Sequence, residues 1–262
     1  MAAKTVFDPT EQAKAYRALN ITSKSDITSL KLYQYEVCPF CCKVKSFLDF
    51  HAIPYEVIEV DPMMKGELKF SEKWKKVPIV IVNDSVQLNN SRDIIDSLHQ
   101  SLPQEVGGLN SEWRNWTDDK FVHVLVSNIY RSIGESLESF AYISENGNFN
   151  TVQRWGAKYA GAAAMYGISK IVKKRHGIAD ERAALFECGE DLQKHLKSAK
   201  GPFLGGNAID LGDLAVHGAL KSIEGLKSFS LLMEKYPEVM AWYKKVDARV
   251  GPSRRTNPKK QK

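Results

Sequence analysis

The chain has 262 residues, 43% apolar and 26% charged, which is an ordinary globular composition with enough length for a sizeable core. No apolar run reaches the roughly 18 residues that span a bilayer, and the first residues contain no signal sequence. The net charge of +6 is spread along the chain, and no nucleic-acid-binding motif accompanies it. Four cysteines are too few for a disulfide framework in a chain of this length. We therefore expect a cytoplasmic protein, soluble or peripherally membrane-associated, with no nucleic-acid partner.

The first part of the chain predicts an extension followed by a small α/β domain. Residues 1–27 form the extension, with a short helix over residues 9–18. Residues 28–100 form the domain, because alternating apolar residues predict strands and helical spacing predicts helices between them. The strands are expected at residues 30–35, 55–60, 78–82 and 86–88, and the helices after Cys38 and from Asn90 or Ser91. This order predicts a thioredoxin-like fold with a mixed four-stranded sheet.

A Cys-x-x-Cys motif lies where the first strand meets the first helix. Cys38 lies at the junction, Pro39 occupies the first helical position, and Cys41 follows one turn inside the helix. Backbone N–H groups and the helix dipole stabilise a thiolate at such a position. The motif therefore predicts a reactive Cys38 with Cys41 as a resolving thiol. Val77-Pro78 leads the third strand, and we expect a cis-Pro78 to lie opposite Cys38.

Two other interpretations of the motif are weaker. Half of a zinc site would need a second pair of ligands, and only Cys42 and His51 lie near in the sequence. We therefore expect no metal. Buried structural cysteines are common, but a proline between two cysteines at a strand-to-helix turn disfavours that interpretation here. Cys188, alone on a predicted helix, is expected to be structural.

The second part of the chain predicts helices only. Residues 101–111 read as a linker, residues 112–250 as an all-helical domain, and residues 251–262 as a disordered basic tail. After a first long helix that starts near Trp113, further helices are expected at about 134–145, 152–175, 180–198, 211–226 and 237–249. Asp210 and Asp213 form a capping box at the start of one of them.

Several motifs resemble one family. They are Leu32-Tyr33-Gln34-Tyr35, Cys38-Pro39-Phe40-Cys41, Phe47-Leu48-Asp49-Phe50-His51, Lys76-Val77-Pro78-Ile79, Asn128-Ile129-Tyr130-Arg131, Ala157-Lys158-Tyr159, Gly161-Ala162-Ala163-Ala164-Met165-Tyr166 and Leu211-Gly212-Asp213-Leu214-Ala215-Val216. Together they are similar to the membrane-associated prostaglandin E synthase type 2 family of the glutathione transferase superfamily. The all-helical second half is therefore expected to be glutathione-transferase-like.

The resemblance implies a function and a set of site residues. The family implies glutathione binding, haem bound together with glutathione, a homodimer, and isomerisation of prostaglandin H2 to prostaglandin E2. By motif, Cys38 is the reactive thiol and Tyr35 the hydroxyl beside it. The glutathione site would be lined by Phe40, Val77, Pro78, Asn90 and Ser91. This chain departs from the family at two positions: Cys42 stands where serine or asparagine is usual, and Asn90 replaces an aspartate.

Two alternatives remain open at this point. The Cys38–Cys41 pair suits glutaredoxin-type exchange with glutathione mixed disulfides as well as isomerisation. A non-catalytic protein that binds glutathione and haem is the other alternative, and the altered residue at position 90 is its support in the sequence.

Overall fold

The computed structural model describes residues 19–61, 64–102, 106–109, 111–146, 159 and 161–258. The predicted helix over residues 9–18 and the first part of the one over 152–175 lie outside these residues. Within the described part of the chain, no helix combines the length and the apolar character needed to cross a bilayer.

The first domain contains the predicted mixed sheet. Its strands are β1 (Leu30–Gln34), β2 (Glu56–Glu59), β3 (Ile79–Val82) and β4 (Val86–Asn89), in the spatial order β2-β1-β3-β4. β1 and β2 are parallel and are joined by helix α1 (Pro39–Phe50), as a parallel pair requires a crossover. The pairs β1–β3 and β3–β4 are antiparallel. Helix α2 (Ser91–Ser101) follows β4 and extends one residue into the predicted linker.

The register of the sheet brings three chain segments to one edge. Tyr33 on β1 pairs with Ile79 on β3, and Ile79 pairs with Asn89 on β4. The end of β1, the start of β3 and the end of β4 therefore coincide. The residues just beyond them, which include the motif loop, Pro78 and Asn90, lie at that edge.

The second half is helical throughout its described residues, as predicted. The helices are α3 (Glu112–Trp116), α4 (Val122–Ile129), α5 (Ile133–Asn146), α6 (Ala162–Arg175), α7 (Glu181–Ser198), α8 (Leu211–Lys221), α9 (Lys227–Lys235) and α10 (Pro237–Val250). A wide π-type turn, Thr117–Phe121, joins α3 to α4. The predicted helix over 211–226 ends at Lys221, and α9 was not predicted. The structure confirms the capping box, in which Asp210 accepts from the Asp213 amide at 3.0 Å.

The two domains pack closely through α1 and α8. Gly218 on α8 lies so near α1 that a Cβ atom there would be 2.5 Å from the Lys43 Cα, so a larger residue cannot fit without a shift. Lys43 also forms a buried ion pair with Asp118. The domains consequently share one core, and α1, whose N-cap residue is Cys38, is fixed from both sides.

The structure corrects the prediction of a disordered tail for the described part of that segment, residues 251–258. This segment returns to β2, where Tyr55 and Arg255 form a parallel bridge. The Thr256 amide donates to the Tyr55 carbonyl at 2.9 Å, and the Asn257 side chain exchanges two hydrogen bonds with the Val57 backbone. Composition had suggested disorder because the segment has no core residues, but backbone groups at an exposed strand edge supply its partners. Residues 259–262 lie outside the described residues.

Candidate active site

The reactive end of the molecule is the loop between β1 and α1. Cys38 is the N-cap residue of α1, with ψ of 121°, and Pro39 is the first helical residue. The Cys38 amide donates to the Tyr35 carbonyl at 3.0 Å, which closes a tight turn. The Cys38 side chain is half-buried and Cys41 is fully buried, so Cys38 is the thiol on the open side of the turn.

The two thiols of the motif are electrostatically different. The Cys41 thiol, hydrogen-bonded to Cys38, lowers the pKa of the Cys38 thiol despite its burial, with further help from the Phe40 and Cys41 backbone N–H groups and from Lys45. Burial, followed by the interactions with Cys38, raises the pKa of Cys41 well above its ordinary value. Cys38 therefore loses its proton first and becomes the thiolate, with Cys41 as its donor.

The remaining two cysteines are not part of the Cys38–Cys41 thiol pair. Cys42 donates from Sγ to the Glu36 carbonyl at 3.4 Å, and burial raises its pKa to about 11. It lines a cavity of about 400 Å³ together with residues of the motif loop, α1, α8, α10 and the returning tail. The pKa of Cys188, within α7, is raised to about 12 by burial.

The charge of Cys38 affects the pKa of two tyrosines, Tyr35 and Tyr130. Burial, and then the charges of Cys38 and Cys41, raise the pKa of Tyr35 to about 12, so its hydroxyl stays protonated and can donate a hydrogen bond. Tyr130 follows α4 in the second domain and is buried, and its pKa is raised by burial first and then by Cys38. We had not predicted Tyr130 as a site residue, although it lies inside a quoted family motif.

The predicted glutathione-binding residues surround the same sheet edge. The Val77-Pro78 peptide bond is cis, as expected. Asn90 has φ of 65° and caps α2, where its side-chain oxygen accepts from the Arg92 amide at 3.3 Å. Ser91 is buried at the first position of α2. By register, these residues lie at the same end of the sheet as the Cys38 turn, and Phe40 lies on the first turn of α1.

Lys45 is a further group that the sequence analysis did not single out. Its ammonium lies 3.2 Å from the Glu36 carbonyl oxygen and 3.5 Å from the Glu36 carboxylate, below the motif loop. It is the cation that lowers the pKa of Cys38. Its position two turns after Cys38 on the same helix was a signal that could have identified it.

Known proteins similar to this chain agree with the geometry. Family models for the glutathione S-transferase N-terminal and C-terminal domains match residues 32–105 and 172–251. Prostaglandin E synthase 2 of Mus musculus is 36% identical over 288 aligned residues, covering 90% of this chain and 74% of that protein. Prostaglandin E synthase 2 of Danio rerio is 38% identical, covering 83% of this chain and 70% of that protein.

The chain belongs to the prostaglandin E synthase 2 family. It is therefore an enzyme of the isomerase or glutathione transferase type, and glutathione is the co-substrate that its superfamily implies. The fold is also that of a solved glutathione S-transferase from Methylobacillus flagellatus KT with glutathione bound. That structure matches with a TM-score of 0.51 at 16% identity, covering 85% of this chain and 97% of that one. At this identity the match bears on the fold alone.

Proposed function

We propose that this prostaglandin E synthase 2 family member isomerises prostaglandin H2 to prostaglandin E2, with Cys38 as the reactive thiol and glutathione as co-substrate. The observation that carries the proposal is the Cys38 turn: of the cysteines, Cys38 is the one whose pKa is lowered, and a protonated Tyr35 lies beside it. The curated relatives in Mus musculus and Danio rerio carry the name of this activity.

Glutathione is proposed to bind along the sheet edge. The backbone of Val77, before the cis-Pro78, would pair with the glutathione peptide as an added strand does. The γ-glutamyl carboxylate would bind at the N-terminus of α2, where Asn90 and Ser91 lie. Phe40 would cover the ligand from α1. This placement brings the glutathione sulfur beside Cys38.

The chemical step follows from the two side chains. The Cys38 thiolate attacks one endoperoxide oxygen, so an S–O bond forms as the O–O bond breaks. Tyr35 donates to the other oxygen, which develops negative charge and becomes the hydroxyl of the product. The Tyr35 phenolate left by that proton transfer takes the proton from the carbon that bears the sulfur-bound oxygen, and the ketone forms. The S–O electron pair returns to sulfur, and thiolate is regenerated without net oxidation.

Three further features are proposed for this chain because its family resemblance implies them. They are a homodimer, peripheral membrane association, and haem bound together with glutathione. Among the described residues, no group of three His, Cys, Asp or Glu side chains is placed to hold a metal ion. A haem iron, by contrast, needs only one or two axial ligands besides its porphyrin, so this finding does not bear on haem, and we assign it no donor and no step of the mechanism.

Glutaredoxin-type exchange is the second candidate, because the thiols of Cys38 and Cys41 are hydrogen-bonded to each other. In this reaction the Cys38 thiolate attacks a glutathione mixed disulfide and releases the other thiol. Either Cys41 or a second glutathione then reduces the new disulfide bond at Cys38. The active pair is the same as in the isomerase, and the substrate decides between the two reactions.

A side-by-side assay tests the proposal. Purified protein is given prostaglandin H2 and, separately, a glutathione mixed disulfide, with glutathione present in both reactions. We expect turnover of prostaglandin H2 that depends on Cys38. Turnover of the disulfide alone would favour the second candidate. A glutathione-dependent Soret band without turnover of either substrate would overturn both and favour a binding protein.

A further inference from the structure

The loop that carries Tyr35 and Cys38 is held from below by four polar side chains, one buried and three half-buried, which we call the loop-anchor cluster: Gln34, Glu36, Lys45 and Glu59. The Glu36 amide donates to the Glu59 carboxylate at 2.6 Å. The Glu36 carbonyl accepts from the Lys45 ammonium at 3.2 Å. The backbone N–H and C=O groups of Glu36, which belong to two successive peptide units between Tyr35 and Cys38, are thus both held by charged side chains.

The cluster contains more negative than positive charge. The Gln34 side-chain amide donates to both carboxylates, at 2.6 Å to Glu36 and 3.1 Å to Glu59. Lys45, 3.5 Å from the Glu36 carboxylate, supplies the balancing ammonium for these two carboxylates. Burial first, and then the charge of Glu36, raise the pKa of Glu59 to about 7, against the lowering effects of the hydrogen bonds and of Lys45.

The cluster also has room for one more hydrogen bond. The side-chain oxygen of Gln34 is buried and, among the described residues, accepts no hydrogen bond. A carboxylate can only accept, whereas a protonated carboxyl group can donate. A half-turn of the Gln34 amide would place that oxygen where its nitrogen now lies, beside the Glu59 carboxyl group, so that a protonated Glu59 could donate to it. The buried acceptor is therefore suited to a proton on Glu59.

We propose that Glu59 is a positioning residue for the Cys38 site: its ionised carboxylate holds the Glu36 peptide and thereby the Tyr35–Cys38 loop, and its protonation loosens that hold. This inference rests on the proposed role of Cys38. The titratable groups that act on Glu59 are Glu36 from the loop and Lys45 from α1, and Tyr35 lies within its field. A hydrogen bond to a charged acceptor is roughly twice as strong as one to a neutral acceptor, so the loosening is partial.

Amide NMR of the loop tests the positioning directly and needs no turnover. In wild-type protein we expect the Glu36 amide signal to titrate with a midpoint near neutral pH, together with its loop neighbours. Glu59→Gln keeps an acceptor but cannot titrate, so the transition should disappear. Glu56→Gln, which removes a charge from the same strand, is the matched control and should keep it.

Alkylation of Cys38 by iodoacetamide, followed by peptide mass spectrometry, gives the functional readout. At pH 8 we expect Glu59→Gln to react roughly fivefold more slowly than wild type, because the loop that places the Cys38 sulfur against the Phe40 and Cys41 N–H groups is held less firmly. Below pH 6 the two rates should converge. A wild-type Glu36 amide that does not titrate near neutral pH would overturn the inference, whether or not the variant folds.

A Glu59→Gln alkylation profile that superimposes on the wild-type profile would also overturn it. Failure of the proposed function is distinguishable, because it would appear as normal Cys38 alkylation and a normal Glu36 titration without turnover of prostaglandin H2 or of a mixed disulfide.

Discussion

Cys38 at the start of α1 and Cys188 in the middle of α7 are the same side chain in two environments. Cys38 is surrounded by backbone N–H groups, a donating thiol and the Lys45 ammonium, and its pKa is lowered. Cys188 is fully buried in the helical domain, and its pKa is raised to about 12. The comparison teaches that the reactivity of a cysteine here depends on a helix start and its charges, since burial alone suppresses ionisation.

Replacement of the Cys38 thiol is expected to have the largest effect on activity. Cys38→Ser should lower turnover of either substrate by about 10³-fold or more, because a serine hydroxyl is not ionised at neutral pH. Cys188→Ala, the control, should lose stability but keep its activity per folded molecule. Cys41→Ser should keep a monothiol route to mixed disulfides. Steady-state rates measure all three, and equal tolerance of Cys38→Ser and Cys41→Ser would remove the thiol mechanism.

Tyr35→Phe is expected to have the second largest effect. Only the endoperoxide reaction develops a charged oxygen next to this hydroxyl, so isomerase turnover should fall by about 10²-fold and disulfide exchange by less. Parallel assays of the two reactions measure the ratio. An isomerase rate equal to that of wild type would make Tyr35 a packing residue.

Lys45→Met tests how much the Lys45 ammonium contributes to the lowered pKa of Cys38. Removing the ammonium destabilises the Cys38 thiolate, so the pKa of Cys38 should rise and alkylation below that pKa should slow by up to about tenfold. The pH dependence of Cys38 alkylation gives the shift. Lys31→Gln, which breaks an exposed pair with Asp84, is the control and should leave the profile in place. A Cys38 pKa that is lower in Lys45→Met than in wild type would contradict the role of Lys45 in stabilising the thiolate.

Asn90→Asp is expected to have the smallest effect. An aspartate would form a charge-assisted hydrogen bond with the glutathione α-ammonium, and we expect affinity to increase roughly fivefold, less at high salt. Asparagine already caps α2 in the structure, and aspartate can do the same. Calorimetric titration compares the two proteins. Identical affinities would mean that the γ-glutamyl group lies elsewhere.

The sequence predicted well what depends on local pattern. Alternation located the first strand, apolar runs and turn residues located the other three, and the Cys-x-x-Cys and Val-Pro motifs were correctly placed at one edge of the sheet. The capping box at Asp210 was also correct. These features depend on residues near one another in the chain, where period and capping rules apply.

Contacts between distant segments were not predictable in the same way. Glu59 reads as an ordinary polar residue of a strand, and its role appears only when β2 brings it to the Glu36 amide. The tail reads as disordered, yet its backbone pairs with Tyr55, two hundred residues earlier. Helix α9 was not predicted, and the helix before it was extended through the turn at residues 222–226.

The most direct test of the account is site-resolved alkylation of all four cysteines as a function of pH, read by peptide mass spectrometry of the native wild-type protein. We expect the alkylation rate of Cys38 to rise with pH with a midpoint below the ordinary thiol pKa of about 8.5. Cys41, Cys42 and Cys188 should remain unlabelled up to at least pH 9. Labelling of Cys41 or Cys188 at lower pH than Cys38 would contradict it.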